Sequence, residues 1–506
     1  MPALKARCEK ALFAACMALA LAGAGGPAFA FRSQAIPIPG EIQEIRADDL
    51  GGDGQKEIFV STNRVDGKRI ERLIRVFAWP GESEPALLVP QSSWAVDPEA
   101  VFWDTGPEGS SAHPSRSLYF LSCHGLWRLP GRGAAPGKPL CQVREPLLVA
   151  SSQEDGFPCL DFIRDWDGDG KEEALLPQSR KALFFRLNGN GSWELSDAAE
   201  VSPYSMYNNN VLFGRKVGSY EFLSVILFPL FEAADLNRDG RTDLLVLRDG
   251  KGLPFLRGED GRLGGQGEPW DLDIRTAEER LRHRATLSYR VADLNRDGCA
   301  DAVVHKVGVN FASWDSETAV FLGNPGGSAG GKPDLSFSSR GLLSGFSLED
   351  LDGDGFSDLT LWSVRMGIWP MIEILLRKVV HVKAESYYGA WPPGFPEEPQ
   401  TSRGFEFTID TARPGFFSGL VPNTEADLDG DGLKDMVAAI GSDALGVYLG
   451  QPRKGFASSP WKTVEEKGVA RMNYVRVEDL DGDGLCDLMA YEAHKDLSVL
   501  HVWTRR

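Results

Sequence analysis

The sequence predicts an all-β chain folded as a β-propeller of eight four-stranded antiparallel blades, with seven blades as the competing count. Three observations lead there. A nine-residue acidic pattern recurs seven times, with oxygen-bearing side chains at positions 1, 3, 5 and 9 and glycine at 6. Short apolar runs of strand length flank each copy. All but two successive copies start 52 to 70 residues apart, a length that suits one four-stranded unit of a radial repeat.

Ahead of the first copy, Lys5, Arg7 and Lys10 precede an apolar run from Ala11 to Ala24, and Ala28-Phe29-Ala30 has the form of a cleavage site. Residues 1–30 read as a secretory signal peptide, with Phe31 starting the mature chain in a periplasmic, extracellular or cell-surface setting. No later run is long and apolar enough for a membrane helix. Residues 31–506 read as a single domain.

The first copy is Asp49, Asp53 and Glu57, weakened by Gly51 at position 3. Full copies follow at Asp165, Asp167, Asp169, Glu173; Asp235, Asn237, Asp239, Asp243; Asp293, Asn295, Asp297, Asp301; and Asp350, Asp352, Asp354, Asp358. The last two are Asp427, Asp429, Asp431, Asp435 and Asp479, Asp481, Asp483, Asp487. An all-oxygen set of this kind suits a hard divalent cation, above all Ca²⁺. Position 7 is Gln55, Lys171, Arg241, Cys299, Phe356, Leu433 or Leu485, as expected where only the backbone carbonyl is used. Glycine at 6 serves a sharp turn of positive φ. An EF-hand is excluded, because position 12 holds Leu176, Leu361 or Ala438 instead of a bidentate glutamate, and the flanks are strand-like.

The strands come in order. Leu244–Leu247 and Ala302–Val304 directly follow their loops. A second apolar run comes 18–26 residues after each loop start: Ile74–Trp79, Leu183–Leu187, Leu253–Leu256, Ala319–Leu322, Ile372–Leu376, Gly446–Leu449 and Leu497–Trp503. The interval between Asp49 and Asp165 is 116 residues, twice the usual length. It contains Val101-Phe102-Trp103-Asp104, Leu118–Leu121 and Gly125–Leu129, a unit with its ligands lost and Asp104 as its origin. After Asp487 only two strands fit before Arg506, so the missing outer strand is expected from residues around Gln34–Ile38.

The loops Asp-Leu-Asn-Arg-Asp-Gly-x-x-Asp and Asp-Leu-Asp-Gly-Asp-Gly-x-x-Asp, with a later Val-Phe/Tyr-Leu-Gly, resemble those of FG-GAP/VCBS repeat proteins, which share the calcium-loop blades of the integrin α-subunit head. The resemblance spans nearly the whole chain after residue 30. The Phe-Gly/Gly-Ala-Pro signature is not clearly present, so the bacterial-type VCBS class fits better. The resemblance implies Ca²⁺ in the hairpin loop after each inner strand. On this reading up to seven ions are structural, clamping loops whose carboxylates would otherwise repel.

The formal net charge of −18 is then largely that of metal ligands, and no basic stripe marks a nucleic-acid partner. The cysteines beyond residue 30 are Cys123, Cys141, Cys159, Cys299 and Cys486; a pair among the first three is compatible with their proximity, and the last two read as small buried residues. Gly326–Gly330 matches G-x-S-x-G but lacks a following helix, so it reads as a linker. The histidines show no metal-ligand spacing, and no catalytic residue stands out.

Two stretches offer candidate ligand contacts: Tyr387, Tyr388, Trp391, Phe395, Phe405 and Phe407 in one, Tyr204 and Tyr207 beside Asn208–Asn210 in the other. Exposed, such aromatics suit a carbohydrate or protein ligand; buried, they are packing between blades. The functional expectation is a binding or adhesion module. A lyase-like enzyme acting on extracellular polysaccharide and a structural subunit of a surface assembly are the alternatives.

Overall fold

The computed structural model describes residues 31–505 except 68, 80–87, 110–114, 130–138, 146–147, 149–156, 209–222, 283–284, 309–314, 341, 365–367, 393, 410–416, 419–420, 442, 467–471 and 473–474. The expected signal peptide and Asn209–Asn210 lie outside the described residues.

Eight antiparallel sheets follow one another along the chain. Each begins with an inner strand: Glu41–Asp48 in blade 1, Ala100–Pro107 in blade 2, Ile163–Arg164 in blade 3 and Leu230–Ala234 in blade 4. The inner strands of blades 5 to 8 are Ala285–Ala292, Leu342–Glu349, Asn423–Ala426 and Arg476–Glu478. Blade 8 takes its outer strand from the other end of the chain, in the order Arg476–Glu478, Asp487–Glu492, Leu497–Arg505, Phe31–Pro39. The pairing runs from Phe31 opposite Arg505 to Pro39 opposite Leu497, so the expected closure through Gln34–Ile38 is present in register.

The second strand of each blade is buried on both faces because it is sandwiched between neighbouring blades. Asp487–Glu492 is buried throughout, and Asp243–Arg248 nearly so. This is why these strands read as continuous apolar runs, where a half-exposed strand would alternate. Aromatic pairs fill the seams between blades: Phe59 meets Trp103 at 6.1 Å between blades 1 and 2, and Tyr119 meets Trp193 edge-on at 5.7 Å between blades 2 and 3.

Three expectations are corrected. Ile372–Leu376 is not a strand but lies in the helix Ile368–Arg377, with Pro370 in its first turn and Arg377 paired to Glu373 four residues back at 2.9 Å. A short apolar run is ambiguous between helix and strand; here the third strand of blade 6 is Val379–Tyr387, entered through Lys378 at φ 59°. No disulfide forms among Cys123, Cys141 and Cys159: all are free thiols, and that of Cys159 faces the Arg46 guanidinium at 3.0 Å. Asp104 does not start a loop. It sits within the inner strand of blade 2, fully buried, ion-paired to Arg46 at 2.8 Å and accepting from the backbone N–H of Phe162 and Ile163.

Candidate metal centres

All seven acidic loops join the inner strand of a blade to its second strand, so they lie on one face of the ring. Their local folding follows from the side chains. In every loop the position 1 aspartate accepts a hydrogen bond from the glycine N–H at position 6, from 2.8 Å for Asp350 to 3.0 Å for Asp479. The position 5 carboxylate accepts from the N–H at position 7, at 2.8–3.0 Å. These short-range bonds form turns without help from the rest of the chain.

Position 9 does different work. Asp243, Asp301, Asp358, Asp435 and Asp487 are fully buried at the head of the second strand. One oxygen accepts from the N–H at loop position 2, and the other from an N–H at the end of the third strand, as in Leu351 and Gly389 on Asp358, both 2.8 Å. The carboxylate thus staples the loop to two strands. Burial is the main force pushing these acids up, to about 7 for Asp301, Asp358 and Asp487 and about 6 for Asp435; their backbone hydrogen bonds oppose it, and neighbouring loop carboxylates add to it. Glu173 is likewise pushed up to about 7 by burial and Asp167.

The ligand sets converge in four loops. Oxygens of Asp165, Asp167 and Glu173 lie within 4.8 Å of one another, as do those of Asp350, Asp352 and Asp358, of Asp427, Asp429 and Asp435, and of Asp479, Asp481 and Asp483. In the Asp350 loop one carboxylate oxygen of Asp350, Oδ1, is buried without a hydrogen-bond partner while Oδ2 accepts from Gly355. An unpartnered anionic oxygen facing two more carboxylates is costly unless a cation is shared among them. These residues therefore fit a hard dication. Among the described residues Asp49, Asp53 and Glu57 form no comparable set, consistent with glycine at position 3.

The chain also supplies cations of its own. The Arg186 guanidinium contacts Asp167, and reaches Asp169 at 3.3 Å and Glu173 at 2.8 Å. Arg453, from the hairpin of blade 7, reaches Asp352 at 3.3 Å and Asp354 at 3.0 Å. In blade 2, Arg116 heads the second strand and bridges Asp48 at 2.8 Å and Glu172 at 2.9 Å, spanning the gap between the Asp49 and Asp165 loops.

Successive loops are joined around the ring. The N–H at position 8 donates to the preceding loop: Lys56 to Leu480 O at 2.8 Å, Ala300 to Asp235 O at 2.9 Å and Lys434 to Leu351 O at 3.1 Å. Arg116 N–H continues the series to Leu50 O at 3.0 Å. Position 4 is left-handed in all seven loops, and five of them place glycine there. The other two place arginine, and Arg296 uses the exposed position to donate from Nε to Gly355 O at 2.7 Å while covering the Phe356 ring. A Cβ on Gly355 would collide with that guanidinium. The position 4 signal was visible in the sequence, but its meaning depends on a neighbour about 60 residues away.

The candidate ligand aromatics do not gather into a surface site. Tyr387 and Tyr388 are buried, Tyr387 against Phe337 at 5.1 Å and Tyr388 with its hydroxyl accepting from Gly455 N–H at 2.9 Å. Trp391 is half-buried against Phe395. Tyr204 is half-buried in an extra hairpin, Tyr204–Asn208 with Leu223–Leu227; Tyr207 pairs through its backbone with Ser224 there. Burial favours packing over recognition for the buried pair. Of the candidate stretch, Phe405 does line a groove, between blades 6 and 7, beside Trp362, which the sequence did not mark. Its cavity of about 360 Å³ is lined by Trp362 and Phe405, with ring centres 5.7 Å apart, together with Phe456, Arg403 and several hydroxyls including Ser402 and Thr424. Trp362 and Thr424 also line a recess of about 480 Å³ against Glu349 and Arg476, on the inner strands of blades 6 and 8. A larger cleft between blades 3 and 4, about 590 Å³, draws acids from the Asp165 loop, and these already meet Arg186.

A direct expectation separates staple from ligand. Asp358→Ala should lower stability by about 2–4 kcal/mol even in EGTA, because two buried N–H groups lose their acceptor. Asp354→Asn keeps its amide oxygen for Phe356 N–H and gives up only the exposed contact with Arg453, so it should stay close to the parent in EGTA and lose more when calcium is present. Urea titrations with and without EGTA check this; identical behaviour of the two variants would refute the division.

Residues 427–490, spanning the Asp427 and Asp479 loops, match the FG-GAP-like repeat model, consistent with the FG-GAP family. No curated protein matches the chain in sequence. Solved structures that resemble it include a lectin from Agrocybe aegerita described as recognising non-reducing terminal N-acetylglucosamine (TM-score 0.33, 12% identity, covering 93% of this chain and 86% of that one). Others are the Dos1 propeller (TM-score 0.43, 8% identity, 93% and 95% covered) and the Nup133 β-propeller domain of Vanderwaltozyma polyspora (TM-score 0.35, 8% identity, 93% and 98% covered).

Proposed function

For a chain that carries an FG-GAP-like repeat within an eight-bladed propeller, we propose an exported, calcium-stabilised binding module whose ligand is a carbohydrate. The groove between blades 6 and 7 carries this reading. Its half-buried Trp362 and Phe405 offer flat apolar faces, and hydroxyls with the Arg403 guanidinium supply polar groups beside them. Sugar rings present the matching alternation of C–H faces and hydroxyl edges. Export rests on the leader-like residues 1–30, and among the described residues no helix is long and apolar enough to cross a membrane.

Calcium enters as a structural ion. It would be held by the side-chain oxygens at positions 1, 3, 5 and 9, and would neutralise carboxylates that the fold crowds together. In the cleft between blades 3 and 4 the Asp165-loop acids are already engaged by Arg186, which favours binding over a lyase that needs uncommitted acids and bases.

A glycan array read alongside a polysaccharide-degradation assay tests the proposal. Glycan binding is expected, and Trp362→Ala should weaken it by about tenfold or more while the chain still melts cooperatively in calcium. Product formation without array binding would assign an enzyme instead. Binding that survives Trp362→Ala at full strength would remove the groove from consideration.

A further inference from the structure

We propose that Glu99, Cys123 and His124 form a zinc site on blade 2, at the edge of the propeller opposite the acidic loops. Candidate ligand atoms of the three residues lie within 4.8 Å of one another, and His124 Nε2 stands 3.2 Å from a Glu99 carboxylate oxygen. The donors differ in kind from those of the loops. A thiolate, an imidazole and one carboxylate suit Zn²⁺, whereas calcium takes oxygen alone.

Two turns bring these residues together, and both are held from beneath. Glu99 sits in the turn Asp97–Ala100, closed by Ala100 N–H on Asp97 O at 3.0 Å. The buried Arg72 of blade 1 donates to the carbonyls of Asp97, Pro98 and Ala100 at 2.7–3.0 Å, fixing that turn against the inner strand. Cys123 and His124 form the two-residue turn between the second and third strands, where Ser122 pairs with Gly125. Their backbone is tied down by Glu145 N–H on Cys123 O at 2.8 Å, and by Ser122 Oγ accepting from His124 N–H at 3.1 Å. Gly125 is required at φ 123°, since a Cβ would stand 1.9 Å from Cys141 O. The supports act on the main chain, leaving the side chains at the surface, with Glu99 exposed and His124 half-exposed.

Three protein ligands leave a fourth position for water, an open tetrahedral set. The site would tie the entry of blade 2 to its hairpin on one edge, in the blade whose other edge has lost its acidic loop.

The test uses the full chain stripped of metal and then returned to calcium. Zinc is titrated against a chromophoric chelator, and cobalt is added separately to read the thiolate-to-cobalt charge-transfer band. The expected result is one zinc equivalent more than in Cys123→Ser, with affinity falling by about 100-fold in Cys123→Ser and about tenfold in Glu99→Gln. The cobalt band should be present in the parent and absent from Cys123→Ser, and excess calcium should not displace the zinc. Both positions are at the surface, so the melts in calcium should coincide; His124→Gln provides the same comparison should Cys123→Ser fail to fold. Equal zinc stoichiometry and affinity in parent and variants, or no thiolate band, would overturn the site.

Discussion

Deleting residues 31–39 is expected to abolish the cooperative melt of the parent, an effect on the order of the whole net stability of a domain, about 10 kcal/mol. That segment is the outer strand of blade 8, paired along Leu497–Arg505 at nine positions. Ile38 is buried in the seam with Ile42 and Leu500, and the Gln34 amide both donates to Leu88 O and accepts from Leu88 N–H at 2.9 Å. Without it the strand carrying Val502 and Trp503 becomes an open apolar edge, a template for aggregation. Thermal melts and light scattering of the truncated chain test this, and a synthetic 31–39 peptide supplied in trans should restore part of the transition. A truncated chain that melts like the parent would refute ring closure as a source of stability.

Calcium removal is the second large effect. A site of about 10⁻⁴ M affinity contributes about 1.4 kcal/mol at millimolar calcium, so the six loops that keep all four side-chain ligands would sum to about 8 kcal/mol. For a chain of this length that corresponds to a melting temperature lower by roughly 8 °C in EGTA. The metal-free protein should also show a distinctive pH dependence. Asp301, Asp358, Asp487 and Glu173, held at about 7 chiefly by burial, bind protons more tightly folded than unfolded. Their contribution is fully present below the unfolded carboxylate range and is lost as pH rises through about 7, so stability in EGTA should fall between pH 5 and 8. With calcium bound the ion favours the ionised form, and the slope should flatten or reverse. An EGTA melt that matches the calcium melt at pH 8 would refute structural calcium.

Much of the ring was legible because its determinants are local. The loop bonds run between residues two to five apart, so the pattern at Asp350 specifies its own turn wherever it occurs. The doubly buried second strands announce themselves as unbroken apolar runs for a similarly direct reason. Ile372–Leu376 misled because a five-residue run, four of them apolar, carries no period long enough to separate helix from strand; in the helix Glu373 and Arg377 pair from i to i+4. Asp104 misled because an acid in a repeat with lost ligands is not marked as a buried ion-pair partner of Arg46, a residue of the previous blade. The aromatics of 384–420 were legible as a cluster, but which of them face a groove depended on blade 7, since Tyr388 is covered by Gly455 while Phe405 looks toward Trp362.

The place of each acidic loop and the source of the closing strand were legible along the chain, because strand periodicity and loop chemistry act over a few residues. The choice of eight blades over seven, and how the units meet, came from the folded ring. Arg296 reaching Gly355, Arg116 spanning the blade that has no metal loop, and Glu99 arriving beside Cys123 and His124 all join residues brought together by the ring or the sheet. Such contacts depend on distance and direction in space, which the spacing of residues along a chain does not encode.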